Sequence, residues 1–256
     1  MKTTPLGFIG GGRITRIILQ AFANKNRTFE KVLVYDIHAE VLEKLKKQFP
    51  KVQLASLEEA ASQSTVFLAL HPPVIMETLE KMETRISDET CVISLAPKIS
   101  IKQIQSILKS KNTARMIPSA TSFINQGYNP ITFSQDFIKS EKVELLGMLS
   151  NLGENIEVPE AQLEAYALIS AMLPTYFWFQ WKELISLGSQ MGLTPHESSK
   201  ALVKTLEGAI NLMFKSKIGY EDLTDLIPVK PIGEDETTIR EIYQTKLIGL
   251  FEKIKA

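Results

Sequence analysis

The sequence has little cysteine, no excess of charge of either sign and no long hydrophobic run. Its 256 residues contain one cysteine, Cys91, which excludes an internal disulfide and favours a reducing compartment. The 29 basic and 29 acidic side chains cancel, which argues against nucleic acid or an anionic membrane as the main partner. No apolar stretch approaches the roughly 18 residues of a membrane span, and the first residues do not resemble a signal peptide. We therefore expect a cytoplasmic protein.

The N-terminal part alternates short apolar runs with segments of helical periodicity. Hydrophobic residues make up 44% of the chain, enough for a sizeable core. Fully apolar runs between helices are typical of parallel strands covered on both faces. Four such runs are present: Leu6–Ile9, Val32–Tyr35, Val66–Leu70 and Cys91–Leu95. Further short strands are predicted near 114–117 and 130–133. This pattern predicts an α/β fold with a Rossmann-like, doubly wound sheet.

The remainder of the chain is predicted to be helical. Helical patterns follow one another from residue 160, and one of them begins at Thr194 with a capping box that Glu197 completes. We therefore predict a dinucleotide-binding domain over 1–159 and an all-helical domain over 160–256. The stretch Tyr176–Trp181 is apolar nearly all round, and a helix of that kind must be buried on every side. A homodimer or a larger homo-oligomer is therefore expected.

A glycine-rich loop follows the first predicted strand and opens the first predicted helix. Gly10 permits the tight turn, Gly11 continues the loop, and Gly12 lets the backbone approach a pyrophosphate. Arg13 and Ile14 begin the helix, whose N-terminal N–H groups and dipole attract the anion. Strand, turn and helix in this order predict a dinucleotide site.

An acidic residue, Asp36, follows the second predicted strand. A carboxylate at this position accepts hydrogen bonds from the adenosine ribose and repels a 2′-phosphate, so NAD(H) is favoured over NADP(H). Arg13 lies near the pyrophosphate and could tolerate the additional charge, which keeps NADP(H) possible. The alternative is that Asp36 only caps the following helix.

These segments resemble, in order and spacing, the pyrroline-5-carboxylate reductases along nearly the whole chain. The resemblance implies a nicotinamide-dependent reduction of the C=N bond of 1-pyrroline-5-carboxylate to L-proline, a small-molecule substrate, and helical domains that interlock into dimers or larger rings. The segments that carry it are Gly7–Gly12, Val66–Pro72, Val92–Ala96, Ala114–Ser119, Pro174–Tyr176 and the pair Thr237–Thr238.

The resemblance also implies roles for particular residues. Thr238, Thr237 and Ser170 are expected to be catalytic, with Thr238 near the ring nitrogen. Ser119 and the run Pro174, Thr175 and Tyr176 are expected to bind substrate. The remaining cofactor contacts are expected from Ser56, Leu70, His71, Pro72 and Ala96.

The departures from the family pattern fall in the substrate region. The family's Ser-Gly-Ser-Gly-Pro-Ala stretch corresponds to Ser170–Thr175, which keeps only the first serine and the proline. Of its Ser-Pro-Gly-Gly-Thr-Thr loop only the two threonines remain, preceded by the acidic run 234–236. Unless these carboxylates point to solvent, they would repel an anionic substrate, and they could instead suit a cationic or amine-bearing one. A related oxidoreductase for another imine or a hydroxy or oxo acid, and an inactive dinucleotide-binding regulator, therefore stay open. No spacing of His, Cys, Asp and Glu predicts a metal site.

Several of the implied residues have structural alternatives. For His71 the alternative is a loop residue of a proline-rich turn, and for Thr237 it is the cap of the last helix. For Tyr176 the alternative is a core or interface residue. Each alternative predicts contacts within the protein instead of contacts with a ligand.

Overall fold

A computed structural model describes residues 4–255, apart from the side chain of Pro73. Its central feature is an eight-stranded sheet in the order β3-β2-β1-β4-β5-β6-β7-β8. Strands β1 to β6 are parallel, β7 is antiparallel to β6, and β8 is parallel to β7. The strands are β1 Leu6–Ile9, β2 Val32–Tyr35, β3 Gln53–Leu54, β4 Thr65–Leu68, β5 Cys91–Ser94, β6 Thr113–Met116, β7 Gly127–Phe133 and β8 Gly153–Glu157.

Helices connect the strands and then continue alone to the end of the chain. They are α1 Arg13–Asn24, α2 Ala39–Gln48, α3 Leu57–Ala61, α4 Pro72–Met82, α5 Ile101–Gln105, α6 Lys139–Leu149, α7 Leu163–Tyr166, α8 Pro174–Gln190, α9 Pro195–Lys215, α10 Tyr220–Asp225 and α11 Glu236–Ile254. A π-helical turn, Ala167–Ala171, follows α7. The predicted Rossmann-like sheet followed by helices is confirmed.

Helices cover both faces of the sheet, and each face has its own apolar core. Ile18 and Phe22 of α1 pack on one face with Leu149 of α6. On the opposite face, Leu79 of α4 packs with Ile104 of α5. Burial on both faces explains why the parallel strands were recognisable as uninterrupted apolar runs.

The ends of the parallel strands are in register. Ile9 pairs with Tyr35 on one side and with Leu68 on the other, and Leu68 pairs with Ser94. Four strands therefore end in one row, and the loops that follow β2, β1, β4 and β5 leave the same edge of the sheet side by side. The strand order reverses between β1 and β4, which is where ligands bind in open sheets of this kind.

The chain divides into two compact units. The first runs to Met172 and includes the residues from Phe251 onward, whereas the second is Leu173–Leu250. This division lies after the boundary that we predicted at residue 159, because the segment 160–172 hydrogen-bonds to sheet residues: Glu160 to Arg115, and Ser170 to the carbonyl oxygen of Tyr128. The boundary at 159 stays a prediction.

The second unit contains only helices and turns, and its apolar side chains are poorly covered. Among its residues only Gly188 and Ser198 are buried. Phe179 is 67% exposed and Phe214 is 73% exposed. Separately, none of the helices that the described residues form is long and apolar enough to cross a membrane.

Candidate dinucleotide site

The loop after β1 has the conformation that its glycines were expected to provide. Gly10 has a φ of +106°, and a Cβ on it would lie 2.4 Å from the carbonyl oxygen of Ala69. The Thr15 side chain is buried, and its hydroxyl donates to the carbonyl oxygen of Gly10 at 2.5 Å. Thr15 stands at the third position of the motif, where a small residue is usual. It is accommodated there because its hydroxyl is hydrogen-bonded within the loop.

The start of α1 offers room and hydrogen-bond donors for an anion. A Cβ built on Gly12, the exposed N-cap residue, would meet no atom within 4 Å. No side chain caps this helix, and its first turn contains no acidic residue. Arg13 is exposed and Ile14, half-buried, packs against the core. Free N–H groups, the helix dipole and the space in front of Gly12 fit a pyrophosphate.

Asp36 lies beside this loop and is held there by two backbone donors. The N–H of Gly11 donates to its Oδ2 at 2.8 Å, and the N–H of His38 donates to its Oδ1 at 2.9 Å. His38 is the N-cap residue of α2, yet no side chain caps that helix. Asp36 is half-buried. Each carboxylate oxygen keeps a lone pair, so the group can accept the hydroxyls of a ribose that follows the pyrophosphate.

The loops after β4 and β5 contribute the other expected cofactor residues. His71 is exposed and is the N-cap residue of α4, although its side chain makes no capping bond. Pro72 takes the first helical position, and Leu70 is half-buried. Ala96 is 2% exposed and belongs to the core on the α4 face. Ala96 can therefore contact a ligand mainly through its backbone atoms.

Ser56 follows β3 at the same edge but is already used for capping. Its Oγ accepts the N–H of Glu59 at 3.2 Å, and its own N–H donates to Glu59 Oε2 at 2.8 Å. The hydrogen bond from the backbone N–H of Ser56 to the Glu59 carboxylate lowers the pKa of Glu59, and the hydrogen bond with the Ser56 side chain lowers it further. The hydroxyl proton of Ser56 is still available to donate a hydrogen bond to a cofactor.

The sequence analysis missed a buried ion cluster beside the ends of β5 and β6. The side chain of Arg115, in β6, is 1% exposed, and its two terminal nitrogens bind Glu160 at 2.9 Å and Glu164 at 2.5 Å. Glu164 is 2% exposed and Glu160 33%. A charged residue inside an otherwise apolar strand requires a buried partner. Arg115 was that signal, but the pattern did not indicate which carboxylates it binds.

The expected substrate residues of the first unit are engaged in local hydrogen bonds. Ser119 is 3% exposed, its N–H donates to Asn129 Oδ1 at 2.8 Å, and its Oγ lies 2.8 Å from Thr121 Oγ1. Ser170, in the π-helical turn, donates from its Oγ to the carbonyl oxygen of Tyr128 at 2.9 Å. Both hydroxyls therefore have a structural role, and their substrate and catalytic roles stay predictions.

The remaining expected residues lie in the helical unit. Pro174, half-buried, and Thr175, exposed, are the first two residues of α8. The ring of Tyr176 meets that of Tyr243 edge to face at a centroid distance of 6.0 Å. Desolvation by burial, followed by the effect of Tyr243, raises the pKa of Tyr176. This packing fits the core or interface alternative that we left open for Tyr176.

The two threonines lie in the first turn of α11. This helix begins at Glu236, so Thr237 and Thr238 are its second and third residues, and Thr237 is not its cap. Both are exposed. Glu236 forms an ion pair with Arg240 at 2.5 Å, which neutralises one of the three acidic residues that precede the threonines.

Neither a metal site nor an activated nucleophile is found among residues 4–255. No group of three or more His, Cys, Asp and Glu side chains in this range could hold a metal ion. Cys91 is 4% exposed, and burial raises the pKa of its thiol to about 12. Such a thiol stays protonated at neutral pH and is inert.

Comparisons with known proteins agree with this geometry. A family model described as NADP oxidoreductase, coenzyme F420-dependent, matches residues 5–98. The pyrroline-5-carboxylate reductase of Corynebacterium melassecola is 24% identical over 254 residues, covering 97% of this chain and 93% of its own. That of Staphylococcus saprophyticus is 24% identical over 259 residues, covering 96% and 92%.

Solved structures show the same fold. The pyrroline carboxylate reductase of Plasmodium falciparum, with NADP bound, superimposes with a TM-score of 0.78 at 19% identity, covering 99% of this chain and 96% of its own. Prephenate dehydrogenase of Aquifex aeolicus is more distant, with a TM-score of 0.59 at 16% identity, covering 99% and 88%. The similarity to these pyrroline-5-carboxylate reductases extends over almost the full length of the chain and agrees with the resemblance of the sequence segments identified above.

Proposed function

We propose that the chain is a nicotinamide-dinucleotide-dependent reductase that reduces the C=N bond of 1-pyrroline-5-carboxylate and so forms L-proline. The observation that carries the proposal is the arrangement of the two loops that follow β1 and β2. There an uncapped helix N-terminus with open space at Gly12 lies beside Asp36, which the N–H of Gly11 holds in place. This arrangement fits the phosphates and ribose of a dinucleotide. The full-length similarity to pyrroline-5-carboxylate reductases supports the substrate.

The charge at the end of β2 supports NADH as the preferred cofactor. Asp36 carries a full negative charge next to the ribose position, and its two backbone donors fix that charge. A 2′-phosphate would be repelled there. Arg13, the exposed first residue of α1, is a cation that could offset this repulsion. We therefore propose NADH as preferred and NADPH as tolerated.

The reaction demands mainly binding and orientation from the chain. When bound, the reduced nicotinamide supplies the hydride that the C=N carbon takes up. A cyclic imine is basic enough to arrive protonated on nitrogen, so a strong catalytic acid is not required. In the proposal, the hydroxyl of Thr238 orients the ring nitrogen, since a hydroxyl both donates and accepts hydrogen bonds. Catalytic roles for Thr237 and Ser170 are also part of the proposal.

We also propose that the helical unit self-associates. Among its described residues no apolar side chain is buried, and Phe179 of α8 and Phe214 of α9 are more than half exposed. Apolar surface on this scale stabilises a protein only when another surface covers it. A second copy of the same unit provides such a surface, which supports a homodimer or a larger homo-oligomer.

The direct test mixes purified full-length protein with 1-pyrroline-5-carboxylate and either NADH or NADPH, and follows the absorbance of the reduced nicotinamide. We expect oxidation of NADH with stoichiometric formation of L-proline, and slower oxidation of NADPH. Binding of NADH without oxidation by this imine would exclude the proposed substrate. Turnover of another imine or of an oxo acid would then favour a related oxidoreductase, and no turnover of any would favour a dinucleotide-binding regulator.

A further inference from the structure

Lys98 has an unusual backbone conformation in the loop between β5 and α5. Its φ is +72°, in the left-handed region that L side chains other than asparagine rarely adopt. It lies four residues after Ser94, the end of β5, and its side chain is exposed. Residues in sparsely populated conformations cluster at ligand sites, where the surrounding structure holds them.

Two carboxylates hold the backbone of this loop. The N–H of Lys98 donates to Glu164 Oε1 at 3.3 Å, and the N–H of Ile101 donates to Glu160 Oε1 at 2.7 Å. Arg115 binds both carboxylates and also lies 3.5 Å from the carbonyl oxygen of Ala96. The loop is therefore fastened on both sides of Lys98, which explains how the left-handed conformation persists.

The charge of Lys98 is not neutralised by its neighbours. Its ammonium group forms no hydrogen bond or ion pair with any residue between 4 and 255. The two carboxylates beside it are already bound to Arg115. In the described loops that follow β1 to β5, Lys98 is the one lysine or arginine, since Arg13 already belongs to α1. The backbone of Lys98 is held in place and its ammonium group is left unpaired, so this cation is available to an anionic ligand.

The position of Lys98 in the fold indicates which anionic group it would bind. The pyrophosphate has its own donors at the start of α1, and the adenosine ribose has Asp36 after β2. The strand β5 lies two strands from β1 on the opposite side, about 10 Å away at the usual spacing of strands. The nicotinamide half of the dinucleotide, and the substrate next to it, therefore fall on the side of Lys98.

We propose that the Lys98 ammonium binds the carboxylate of the imine substrate and so determines specificity for carboxylated imines. The proposal rests on the proposed function, which it makes more specific. Lysine serves here as a point charge that needs no fixed hydrogen-bond geometry.

The test compares two cyclic imines that differ only in the carboxylate, 1-pyrroline-5-carboxylate and 1-pyrroline. Lys98→Asn removes the charge and keeps a residue that tolerates a positive φ, Lys98→Arg keeps the charge, and Lys102→Asn removes an exposed lysine of α5. For Lys98→Asn we expect the KM for the carboxylated imine to rise about tenfold to a hundredfold, the loss typical of a charge-assisted hydrogen bond. The KM values for 1-pyrroline and NADH should stay unchanged, as should all three in Lys102→Asn. Lys98→Arg should retain most of the affinity.

A binding measurement separates this proposal from the proposed function. Tetrahydro-2-furoate, a five-membered ring acid without an imine, should raise the melting temperature of the NADH complex of the wild type and of Lys102→Asn, but not of Lys98→Asn. That result supports the role of Lys98 even if no imine is turned over, which would refute the proposed function alone. Equal effects of Lys98→Asn on both imines, an effect on NADH alone, or no stabilisation of the wild type by the acid would overturn the role of Lys98.

Discussion

Gly11 and Asp36, 25 residues apart, are joined by a 2.8 Å hydrogen bond from the backbone N–H of the glycine to Oδ2 of the carboxylate. The bond links the loops that follow β1 and β2 at their point of closest approach. It therefore fixes a negative charge directly beside the proposed phosphate site. The proposed preference for NADH rests on this arrangement.

Asp36→Asn should shift the cofactor preference toward NADPH. The substitution removes the charge that repels a 2′-phosphate, whereas the ring and pyrophosphate contacts stay common to both cofactors. We expect the ratio of kcat/KM for NADH to that for NADPH to fall about tenfold, equivalent to about 1.4 kcal/mol. Because the ratio is taken within one variant, a general loss of folded protein cancels. Glu40→Gln, on the exposed face of α2, is the matched control and should leave the ratio unchanged.

Gly12→Ala should weaken dinucleotide binding without unfolding the protein. A Cβ at this position meets no protein atom within 4 Å, so the folded chain can accept it. The space that it enters is the one assigned to the pyrophosphate, and the Kd for NADH should rise about tenfold or more. Titration calorimetry and thermal melting without cofactor give the two quantities. An unchanged Kd for NADH would place the phosphates elsewhere.

Gly10→Ala provides the contrasting variant at the same loop. Its φ of +106° and the 2.4 Å approach to the carbonyl oxygen of Ala69 leave no room for a side chain. We expect this substitution to lower the melting temperature even without cofactor. Gly147→Ala, in the open interior of α6, should raise stability by about 1 kcal/mol, since alanine is the better helix former.

Arg115→Met should be among the most destabilising single substitutions in the first unit. It leaves two carboxylates without their shared cation, one of them 2% exposed, and removing one partner of a buried ion pair costs about 3–5 kcal/mol. Lys81→Met breaks the exposed pair with Glu77 and should have little effect on stability, because water screens such a pair. Urea unfolding at one protein concentration compares the two variants. Similar midpoints for both would show that the cluster is not important for stability.

The sheet was readable from the sequence because its parallel strands are buried on both faces. Strands β1, β2, β4 and β5 are uninterrupted apolar runs. Strand β3 was missed because both of its residues, Gln53 and Leu54, are exposed. Strand β8, Gly153–Glu157, was missed because none of its residues is buried and two of them, Glu154 and Glu157, are exposed acidic residues. Short or edge strands bury too little apolar surface to leave a pattern.

The candidate site was predictable only in part for a similar reason. Glycines and an acidic residue at fixed offsets have a direct physical meaning, so the loop Gly10–Gly12 and Asp36 were found. Lys98 was not, because a lysine in the left-handed conformation has no sequence signal of its own. Its conformation depends on Glu160 and Glu164, more than sixty residues away in sequence, and only the folded chain brings these groups together.

Thr238→Ala should lower kcat more than it raises the KM for the imine. If the hydroxyl orients the ring nitrogen during hydride transfer, its loss acts on the transition state, and we expect kcat to fall at least about tenfold. Thr238→Ser keeps the hydroxyl and should recover most of the rate. Thr205→Ala, exposed on α9, controls for a general effect on the helical unit. An unchanged kcat in Thr238→Ala would remove this residue from the reaction.

Phe179→Glu should disrupt the proposed self-association of the helical unit. Phe179 is 67% exposed on α8, and the proposed self-association would cover it. A buried phenylalanine contributes about 2–3 kcal/mol, and a charge in its place costs more, so the dissociation constant should rise about a hundredfold. Val143→Glu, at a 71% exposed position on α6 of the first unit, should leave the mass unchanged. Light scattering after size exclusion measures the mass of each variant. A monomeric wild type, or a Phe179→Glu variant of unchanged mass, would contradict an interface at this face of α8.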